Sequence, residues 1–316
     1  MTSMPLFITL EDTRKFIKVR DALEVVEEVF RMHARDTVTW CDPPRFTIHG
    51  QRQSVYSHVK GCVLEEVPIM GVRVVGYLIH PDGSGTAAPE STRLVLLIDP
   101  KTGSCLAIVD EHWNYSVRTT AAAVIGAKYL ANPDTETVGI VGAGNLARSG
   151  LRALCETFPI KHVRVTSRNP SSYETFCNEM SASLNIPVKP CVSVDEVCRD
   201  SGIILIATTA KKPLVMEHWV QPGTCVLTLG VDEVEHALYS KADKVVLDAH
   251  ETIHSLRSII EEGHLKESDV YALIQEVVAG LKPGRERSDE RIIIRTAGLV
   301  SQDVAVAYHA YTKAVA

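Results

Sequence analysis

Three small residues near the middle of the chain, Gly142, Gly144 and Ala147, follow the spacing G-x-G-x-x-A. They come directly after the apolar run TVGIV and open the helix-compatible segment LARSGLRALCETF. The first glycine permits a tight turn, the second lets the backbone approach a pyrophosphate, and the third small residue lets the helix pack on the strand. The pattern therefore predicts a dinucleotide site whose phosphates lie at a helix N-terminus, although glycines also serve turns that bind nothing. The predicted phosphate loop comprises Gly142, Ala143, Gly144, Asn145, Leu146 and Ala147.

The end of the next predicted strand, HVRVTSR, decides which dinucleotide is favoured. An acidic residue there would bind the ribose 2′-hydroxyl of NAD, but the chain reads Thr166-Ser167-Arg168-Asn169. A hydroxyl beside a guanidinium suits the 2′-phosphate of NADP, because arginine binds phosphate in a bidentate manner. We therefore expect NADP(H), bound by Ser167, Arg168 and Asn169, with NAD(H) and a merely solvated Arg168 as the alternatives.

Composition and charge narrow the classes of protein further. The 316 residues are enough for two domains, 45% of them are hydrophobic, and the formal net charge is −6. This balance excludes the basic surface typical of partners of nucleic acid or acidic lipid, and no apolar run approaches the roughly 18 residues of a membrane span. Neither a signal peptide nor a cysteine pattern for zinc or disulfides is recognisable. We expect a cytoplasmic protein with reduced cysteines and a small-molecule partner.

The residues before Tyr115 predict an α+β domain. Apolar side chains recur at three- and four-residue steps over residues 14–34, which indicates an amphipathic helix or a helix pair. Strand-like runs follow, and DPKTG between LVLLI and CLAIV is typical of a hairpin connection. We expect an antiparallel or mixed sheet with a helix packed on it.

After Tyr115 the pattern changes to one of alternating strands and helices. Residues 116–131 predict a helix rich in small residues, and the glycine turn follows it. Short apolar strands recur at HVRVTSR, PVKPCVS, GIILIATT, GTCVLTLG and KVVLDA, with helix-like or loop segments between them. This alternation predicts an α/β domain with a doubly wound parallel sheet of the Rossmann type, and the chain ends in a further amphipathic helix.

Four ordered motifs resemble the ornithine cyclodeaminase/mu-crystallin family over nearly the whole chain. They are SVRTTAAAVIGAKYLA, VGIVGAGNLA, LGVDEVEHALYSKADKVVLD and the late VVAGLKPGR with IIIRTAGLVSQDVAVA. The resemblance implies a Rossmann domain inserted in a discontinuous α+β domain for substrate binding and dimerisation, which explains the mid-chain glycine turn. We place the substrate domain at residues 1–115 plus 295–316 and the NAD(P)-binding domain at residues 116–294, and we expect a homodimer.

The resemblance also implies chemistry on amino acids and their imines. The expected activity is an NAD(P)H-dependent imine (ketimine) reductase or amino-acid dehydrogenase that transfers hydride at the α-carbon. The alternatives are an ornithine cyclodeaminase-type ammonia lyase with catalytic NAD, and a non-catalytic NADPH-binding protein like mu-crystallin. The reaction needs cations that hold the substrate α-carboxylate and one acid or base for the nitrogen or for water.

Several residues of the chain match the family's functional positions. Arg45 in DPPRFTI and Arg118 in SVRTTAAA are similar to the family's substrate arginines, which implies that both bind the carboxylate. Asp232 in LGVDEVEH is similar to the family's catalytic aspartate, which exchanges a proton with the substrate nitrogen or steers water. The alternatives are solvated charges for the arginines and a loop-capping role for the aspartate. Thr119 and Thr208 complete the predicted cofactor-binding set.

One position departs from the family pattern. Where members generally read G-x-K-x-V, this chain has Gly71-Val72-Arg73-Val74-Val75. Arginine binds carboxylates well but cannot lose its proton, so Arg73 is a substrate-binding and catalytic-site candidate but a poor acid or base. Proton transfer then falls to Asp232, or to His58 or Lys60 in YSHVKG, and Lys60 is also a candidate substrate-binding residue.

The arginines also bear on the substrate. Arg45, Arg73 and Arg118 together supply more positive charge than one α-carboxylate needs, which favours the imine of a dicarboxylic keto acid. The chain contains neither a Gly-x-Ser-x-Gly elbow nor a GK[ST] phosphate loop, and no metal site is expected.

Overall fold

The computed structural model describes residues 4–50, 54–79, 85–86 and 91–316. The chain forms two compact units, one made of Met1–Arg118 with Leu299–Ala316 and the other of Thr119–Gly298. The first unit is therefore discontinuous in sequence. The chain passes from the first unit to the second within the helix that follows Glu111, and it returns to the first unit just before the last helix.

The first unit is built on a mixed sheet. Its strands are β1 (Leu6–Ile8), β2 (Val38–Trp40), β3 (Phe46–His49), β4 (Val55–Leu64), β5 (Ile69–Ile79), β6 (Gly85–Thr86), β7 (Arg93–Ile98) and β8 (Cys105–Asp110). The order across the sheet is β1-β8-β7-β5-β4-β2, with β3 beside β4 and β6 beside β5. All neighbours are antiparallel except β1 and β8. The predicted hairpin joins β7 to β8, and Gly103 supplies the positive φ (70°) of its turn.

The helices of this unit are α1 (Leu10–Phe16), α2 (Val19–Ala34), the start of α3 (His112–Leu130) and α10 (Val300–Val315). Helix α10 packs on the sheet, and α2 packs on α10. The predicted amphipathic segment is a helix pair, because the extended Ile17 separates the two helices. Helix α10 lies directly on the sheet, since a Cβ atom at Gly71 on β5 would overlap the side chain of Val304.

The second unit contains the predicted Rossmann-type sheet, and every pairing in it is parallel. Its strands are β9 (Thr137–Val141), β10 (His162–Thr166), β11 (Val188–Pro190), β12 (Ile203–Ile206), β13 (Cys225–Thr228), β14 (Lys244–Leu247), β15 (Val270–Leu273) and β16 (Ile292–Arg295). Their order is β11-β10-β9-β12-β13-β16-β14-β15. Strands β15 and β16 had not been predicted. β16 is inserted between β13 and β14, a placement that its four-residue apolar run does not reveal.

Helices follow the strands of this sheet in the manner of a doubly wound fold. They are α4 (Asn145–Thr157), α5 (Pro170–Leu184), α6 (Val194–Cys198), α7 (Ala237–Lys241), α8 (Arg257–Glu261) and α9 (Ile274–Val278), with short 3₁₀ turns at Glu217–Trp219, His250–Leu256 and Glu267–Asp269. Strands β12, β13, β14 and β16 are buried along their whole length, as expected for a parallel sheet covered on both faces.

Two further observations concern the described part of the chain. None of its helices combines the length and the apolar character needed to cross a membrane. All eight cysteines are free thiols, five of them buried: Cys62, Cys177, Cys191, Cys198 and Cys225.

Candidate active site

The glycine turn lies where the strand order of the parallel sheet reverses. β9 has β10 on one side and β12 on the other, so the loops after β9 and β12 leave the sheet in adjacent positions. Gly142 has φ of 111°, and a Cβ atom there would collide with the carbonyl oxygen of Ala207 after β12. In open α/β sheets, ligands bind outside the carboxyl ends of the strands at such a reversal.

The geometry of the turn fits a pyrophosphate. Gly144 is the N-cap of α4, and the space where its Cβ atom would stand is open among the described residues. Asn145 and Gly144 are exposed, whereas Ala147 is fully buried against the sheet, as the small third position requires. The first N–H groups of α4 therefore face open space, where the helix dipole favours an anion.

The loop that follows β10 contains Arg168, the arginine predicted to bind the 2′-phosphate of NADP. Ser167 Oγ donates a hydrogen bond to the carbonyl oxygen of Asn169 (3.0 Å), and the Asn169 side chain caps α5 by accepting from the Ser171 N–H. Arg168 is exposed, and no ion pair to it occurs within residues 4–50, 54–79 and 91–316. The local hydrogen bonds thus shape the loop while the guanidinium remains in solvent.

The two predicted threonines have different environments. Thr208 Oγ1 donates to Glu233 Oε1 (2.7 Å), and its N–H donates to the same oxygen (3.2 Å). Thr119 Oγ1 is buried and has no hydrogen-bond partner among the described residues. Thr208 therefore anchors the neighbouring loop, whereas the Thr119 hydroxyl has unused hydrogen-bonding capacity.

Asp232 lies in the loop after β13, at the same carboxyl edge of the sheet. Its φ of 57° is in the left-handed region, which a non-glycine residue adopts only when its surroundings enforce it. The next residue supplies that restraint: buried Glu233 accepts hydrogen bonds from Gly230 N–H (2.7 Å) and from Thr208. Asp232 Oδ1 accepts from Ser258 Oγ (3.1 Å), and the Asp232 side chain is one-third exposed. The loop therefore holds a partly exposed carboxylate in one position.

In the first unit, basic side chains gather on one face of the mixed sheet. Lys60 on β4 is the direct cross-strand partner of Arg73 on β5, and His58 is the partner of Val75. Cross-strand partners share a face, so Lys60, Arg73 and His58 point the same way. Arg45 immediately precedes β3, which pairs with this part of β4. Together with Arg118 on α3, we call Arg45, Lys60 and Arg73 the cationic cluster.

Two buried acids that the sequence analysis did not identify pair with this cluster. Arg73 Nε donates to Glu111 Oε1 (2.6 Å) and lies 3.4 Å from Asp303 Oδ2. Arg118 Nε is 2.5 Å from Asp303 Oδ1. Arg118 is only 3% exposed, and its Nη1 has no hydrogen-bond acceptor in the described part of the chain. By hydrogen-bond geometry, neither Nε nor Nη1 of Arg118 has an acceptor among the described residues, so the guanidinium keeps unused donors inside a buried charge network.

The two acids differ in protonation. Burial raises the pKa of Glu111, and the nearby charge of Asp303 raises it further. Burial opposes ionisation of Asp303 as well, but Arg118 and Arg73 hold its pKa below the usual value. The network thus favours the proton on Glu111 and the negative charge on Asp303.

The pKa values of the other two basic side chains, Lys60 and His58, are lowered. Burial lowers the pKa of Lys60, and the charges of Arg73, Arg118 and Arg45 lower it further, against the opposing effect of Asp303. Burial and the charges of Arg45, Lys60 and Arg73 also lower the pKa of His58. Lys60 forms no hydrogen bond or ion pair with the part of the protein that the structure describes.

An aromatic ring completes the cluster. The guanidinium groups of Arg93, Arg118 and Arg73 lie 4.2, 5.1 and 6.0 Å from the centre of the Tyr115 ring, within cation–π range. Sequence reasoning missed Arg93, Glu111 and Asp303. The signal for Asp303 was present, because it is an isolated acid in the apolar, small-residue helix segment VSQDVAVA.

A groove of about 600 Å³ opens beside β14 and β15 and is lined by His250, His254, Tyr271 and Lys282, among others. It lies at the opposite edge of the sheet from the glycine turn. Within the described residues, no group of three or more His, Cys, Asp or Glu side chains is arranged to hold a metal ion.

The second unit is a Rossmann-type sheet with a glycine turn at the point where the strand order reverses. The first unit is an α+β unit with a cluster of arginines that can bind an anion. This combination defines a class of dinucleotide-binding proteins with a separate substrate domain. The particular family follows from sequence. The profile of the ornithine cyclodeaminase/mu-crystallin family matches residues 4–316, and the chain belongs to this family.

Relatives of known name cover nearly the whole chain. Alanine dehydrogenase of Archaeoglobus fulgidus is 31% identical over 323 residues, covering 98% of this chain and 95% of that protein. The structure of Thermococcus litoralis Δ¹-pyrroline-2-carboxylate reductase in complex with NADH and L-proline is 30% identical with a TM-score of 0.89, covering 98% and 97% of the two chains. An archaeal alanine dehydrogenase dimer with bound NAD is 29% identical with a TM-score of 0.88, covering 98% and 96%.

Proposed function

We propose that the protein is an NAD(P)H-dependent oxidoreductase that interconverts an α-imino acid and the corresponding amino acid by hydride transfer at the α-carbon. The observation that carries the proposal is the buried Arg73–Arg118 pair, in which Arg118 Nη1 has no acceptor in the described part of the chain. The relatives support it, because their names describe oxidation or reduction of alanine and of a cyclic imino acid.

In this proposal the arginines bind the substrate carboxylate. A carboxylate placed at Arg118 Nη1 would satisfy that buried donor. Glu111 and Asp303 hold Arg73 and Arg118 in fixed rotamers through the contacts of their Nε atoms, so the outer guanidinium nitrogens are oriented before substrate arrives. The Tyr115 ring lies 5.1 Å from the Arg118 guanidinium, in cation–π contact with it.

The proposed cofactor is NADP(H), with NAD(H) as the alternative. When bound, the nicotinamide supplies or accepts the hydride. The phosphate loop Gly142–Ala147 would hold the pyrophosphate, and Arg168 would hold the 2′-phosphate with Ser167 and Asn169 shaping the loop around it. The two solved relatives carry NADH and NAD, so the preference for NADP rests on Arg168 in this chain.

Proton transfer is assigned to Asp232. Arg73 is buried beside two acids and keeps its charge, so it acts only on the carboxylate. Asp232 is a fixed, partly exposed carboxyl group at the sheet edge, and in imine reduction it would donate a proton to the substrate nitrogen. Lys60 is proposed to bind substrate, since its ammonium group is half-buried in the cluster without an anionic partner in hydrogen-bond contact.

Arg45 and Lys60 also favour a second carboxylate on the substrate. The two inner arginines already share Asp303, whereas these two outer cations have no ion pair within the described residues. An imino acid with a side-chain carboxylate would neutralise them. Equal turnover of mono- and dicarboxylic imino acids, unaffected by Arg73→Lys, would contradict this preference.

We further infer a homodimer, in line with the archaeal alanine dehydrogenase dimer. Phe46 and Ile48 on β3 are 47% and 59% exposed. They alternate with Thr47, the cross-strand partner of His58, so they face away from the cationic cluster. Exposed apolar side chains in a row are typical of subunit interfaces. Sedimentation of the wild type and of Ile48→Asp tests this inference.

The test of function is a spectrophotometric panel. The protein is incubated with NADPH or NADH, with ammonia or methylamine, and with a series of α-keto acids and cyclic imino acids, and cofactor oxidation is followed by absorbance. Steady oxidation with at least one imine supports the proposal. Consumption of ornithine with no net change in absorbance would instead indicate a cyclodeaminase, and tight NADPH binding with negligible rates would indicate a binding protein.

A further inference from the structure

The imidazole of His236 lies between two carboxylates. Its Nδ1 is 2.7 Å from Glu262 Oε2, and its Nε2 is 3.5 Å from Asp232 Oδ1. The two contacts use opposite nitrogens of one ring. Along this line the exposed fraction of the side chain is 33% for Asp232, 15% for His236 and 55% for Glu262. The imidazole thus connects Asp232 to the more exposed carboxyl group of Glu262.

The surrounding backbone fixes this arrangement. His236 immediately precedes α7, Glu262 immediately follows α8, and Ser258 on α8 donates to Asp232 Oδ1 (3.1 Å). Helix α8 therefore positions both Glu262 and Ser258, which is the hydrogen-bond donor to Asp232. The sequence analysis did not connect His236 or Glu262 with Asp232. Glu262 is 26 residues from His236 along the chain, so no local pattern links the two.

Other titratable groups near His236 have separate partners. The His264 ring meets the His236 ring edge-on with centres 6.3 Å apart, and its Nδ1 contacts Ser240 Oγ (3.1 Å). Glu235 accepts a hydrogen bond from the Glu217 N–H, and Glu261 pairs with Arg257 (2.6 Å). Among the described residues, Asp232 and Glu262 are thus the carboxylates in direct ion-pair contact with the imidazole.

We propose that His236 is a positioning residue that orients Asp232 and returns a proton to it from solvent by way of Glu262. The inference rests on the proposed function. In imine reduction the Asp232 carboxyl group gives its proton to the substrate nitrogen and becomes a carboxylate. Glu262 then delivers a proton from solvent to Nδ1 of the imidazole while the Nε2 proton passes to Asp232. Loss of the Nδ1 proton to Glu262 and uptake of one proton from water at Nε2 restore the starting form of the ring. Each turnover transfers one solvent proton to the product amine.

The physical need for such a residue is general. Asp232 must regain a proton after each turnover, and a side chain in direct contact with it can return that proton. Histidine is the side chain that carries protons most readily near neutral pH, and a neighbouring carboxylate orients its ring.

The test uses the variants His236→Gln and Glu262→Gln, with His264→Gln as the matched control that contacts neither carboxylate. Initial rates of imine reduction are measured across pH at saturating cofactor. We expect kcat of His236→Gln to fall roughly tenfold with a changed pH profile and an unchanged KM for cofactor. Added imidazole should restore kcat in a concentration-dependent manner, Glu262→Gln should lose less, and His264→Gln should behave as wild type.

An unchanged pH profile in His236→Gln, or a loss of kcat that imidazole does not restore, would overturn the inference. A second measurement does not depend on turnover. The titration of the His236 ring, followed by NMR, should shift in both Asp232→Asn and Glu262→Gln, and no shift in Asp232→Asn would also overturn it. If the wild type reduces no imine while the ring titration shifts as expected, the proposed function fails but the coupling of Asp232 to Glu262 is supported.

Discussion

Lys60 stands directly across the β4–β5 ladder from Arg73, so a lysine that can lose its proton faces an arginine that cannot. The two side chains share one face of the sheet, but only Arg73 is held by acids, through Glu111 and Asp303. Where the family resemblance leads one to expect a lysine, this chain thus has Arg73, with Lys60 on the adjacent strand.

The first prediction concerns Lys60. Lys60→Met should raise KM for the imino acid by roughly tenfold, because it removes one cation from the proposed carboxylate site. Lys60→Arg should keep KM low. The lowered pKa of Lys60 means that its charge is lost at a lower pH than that of an ordinary lysine, so wild-type KM should rise at alkaline pH. A similar alkaline rise in Lys60→Arg would show that another group is responsible.

The second prediction concerns Glu111 and the pH dependence of stability. Its pKa in the folded protein is raised above the unfolded value, so the fold prefers the protonated form. The stability associated with that form is fully present below the unfolded pKa and is lost as pH rises through the folded pKa. Glu111→Gln cannot ionise, and its apparent Tm should therefore fall less than that of wild type between pH 6 and about 9. Parallel Tm curves for the two proteins would contradict this.

The third prediction concerns the buried pair of Arg118 and Asp303. Asp303→Asn leaves two buried guanidinium groups without their carboxylate, which should cost about 3–5 kcal/mol. At about 2–4 °C per kcal/mol, the loss in apparent Tm is on the order of 10 °C. The double variant Asp303→Asn with Arg118→Met should recover part of it, because one unpaired charge is gone. Additive losses in the double variant would indicate that the two residues do not interact.

The fourth prediction concerns the cofactor. Arg168→Ala should raise KM for NADPH by roughly tenfold to a hundredfold, the expected loss for a charged hydrogen-bonded contact, and should leave KM for NADH nearly unchanged. Arg199→Ala is the matched control, since Arg199 is an exposed arginine of the same unit that pairs with Asp195. Equal effects of Arg168→Ala on both cofactors would contradict a 2′-phosphate site.

The fifth prediction separates folding from cofactor binding within the glycine turn. Gly142→Ala should fail to fold normally, because φ is 111° and the new methyl group would collide with Ala207. Gly144→Ala has φ of −88° and free space, so it should fold with an unchanged Tm. Its dinucleotide affinity should nevertheless fall by about tenfold or more, about 1.4 kcal/mol, as measured by fluorescence titration. Unaltered affinity would place the pyrophosphate elsewhere.

Much of this organisation was predictable from short stretches of sequence. The glycine turn, the alternation of strands and helices and the β7–β8 hairpin depend on contacts between residues close in the chain, where turn chemistry and hydrophobic period determine the local structure. The predicted Rossmann sheet and the predicted family membership are both confirmed. The roles of Arg45, Arg118, Asp232 and Lys60 remain proposals.

What the sequence by itself determined, then, is the class of cofactor-binding fold and the identity of most charged candidates. Only the tertiary structure decided which charges neutralise one another. Glu111 and Asp303 are 38 and 230 residues from Arg73 along the chain, and no periodicity or motif predicts a contact at such separations. Burial makes these distant contacts decisive, because in a weakly polarisable interior each charge must find a partner or change its protonation state.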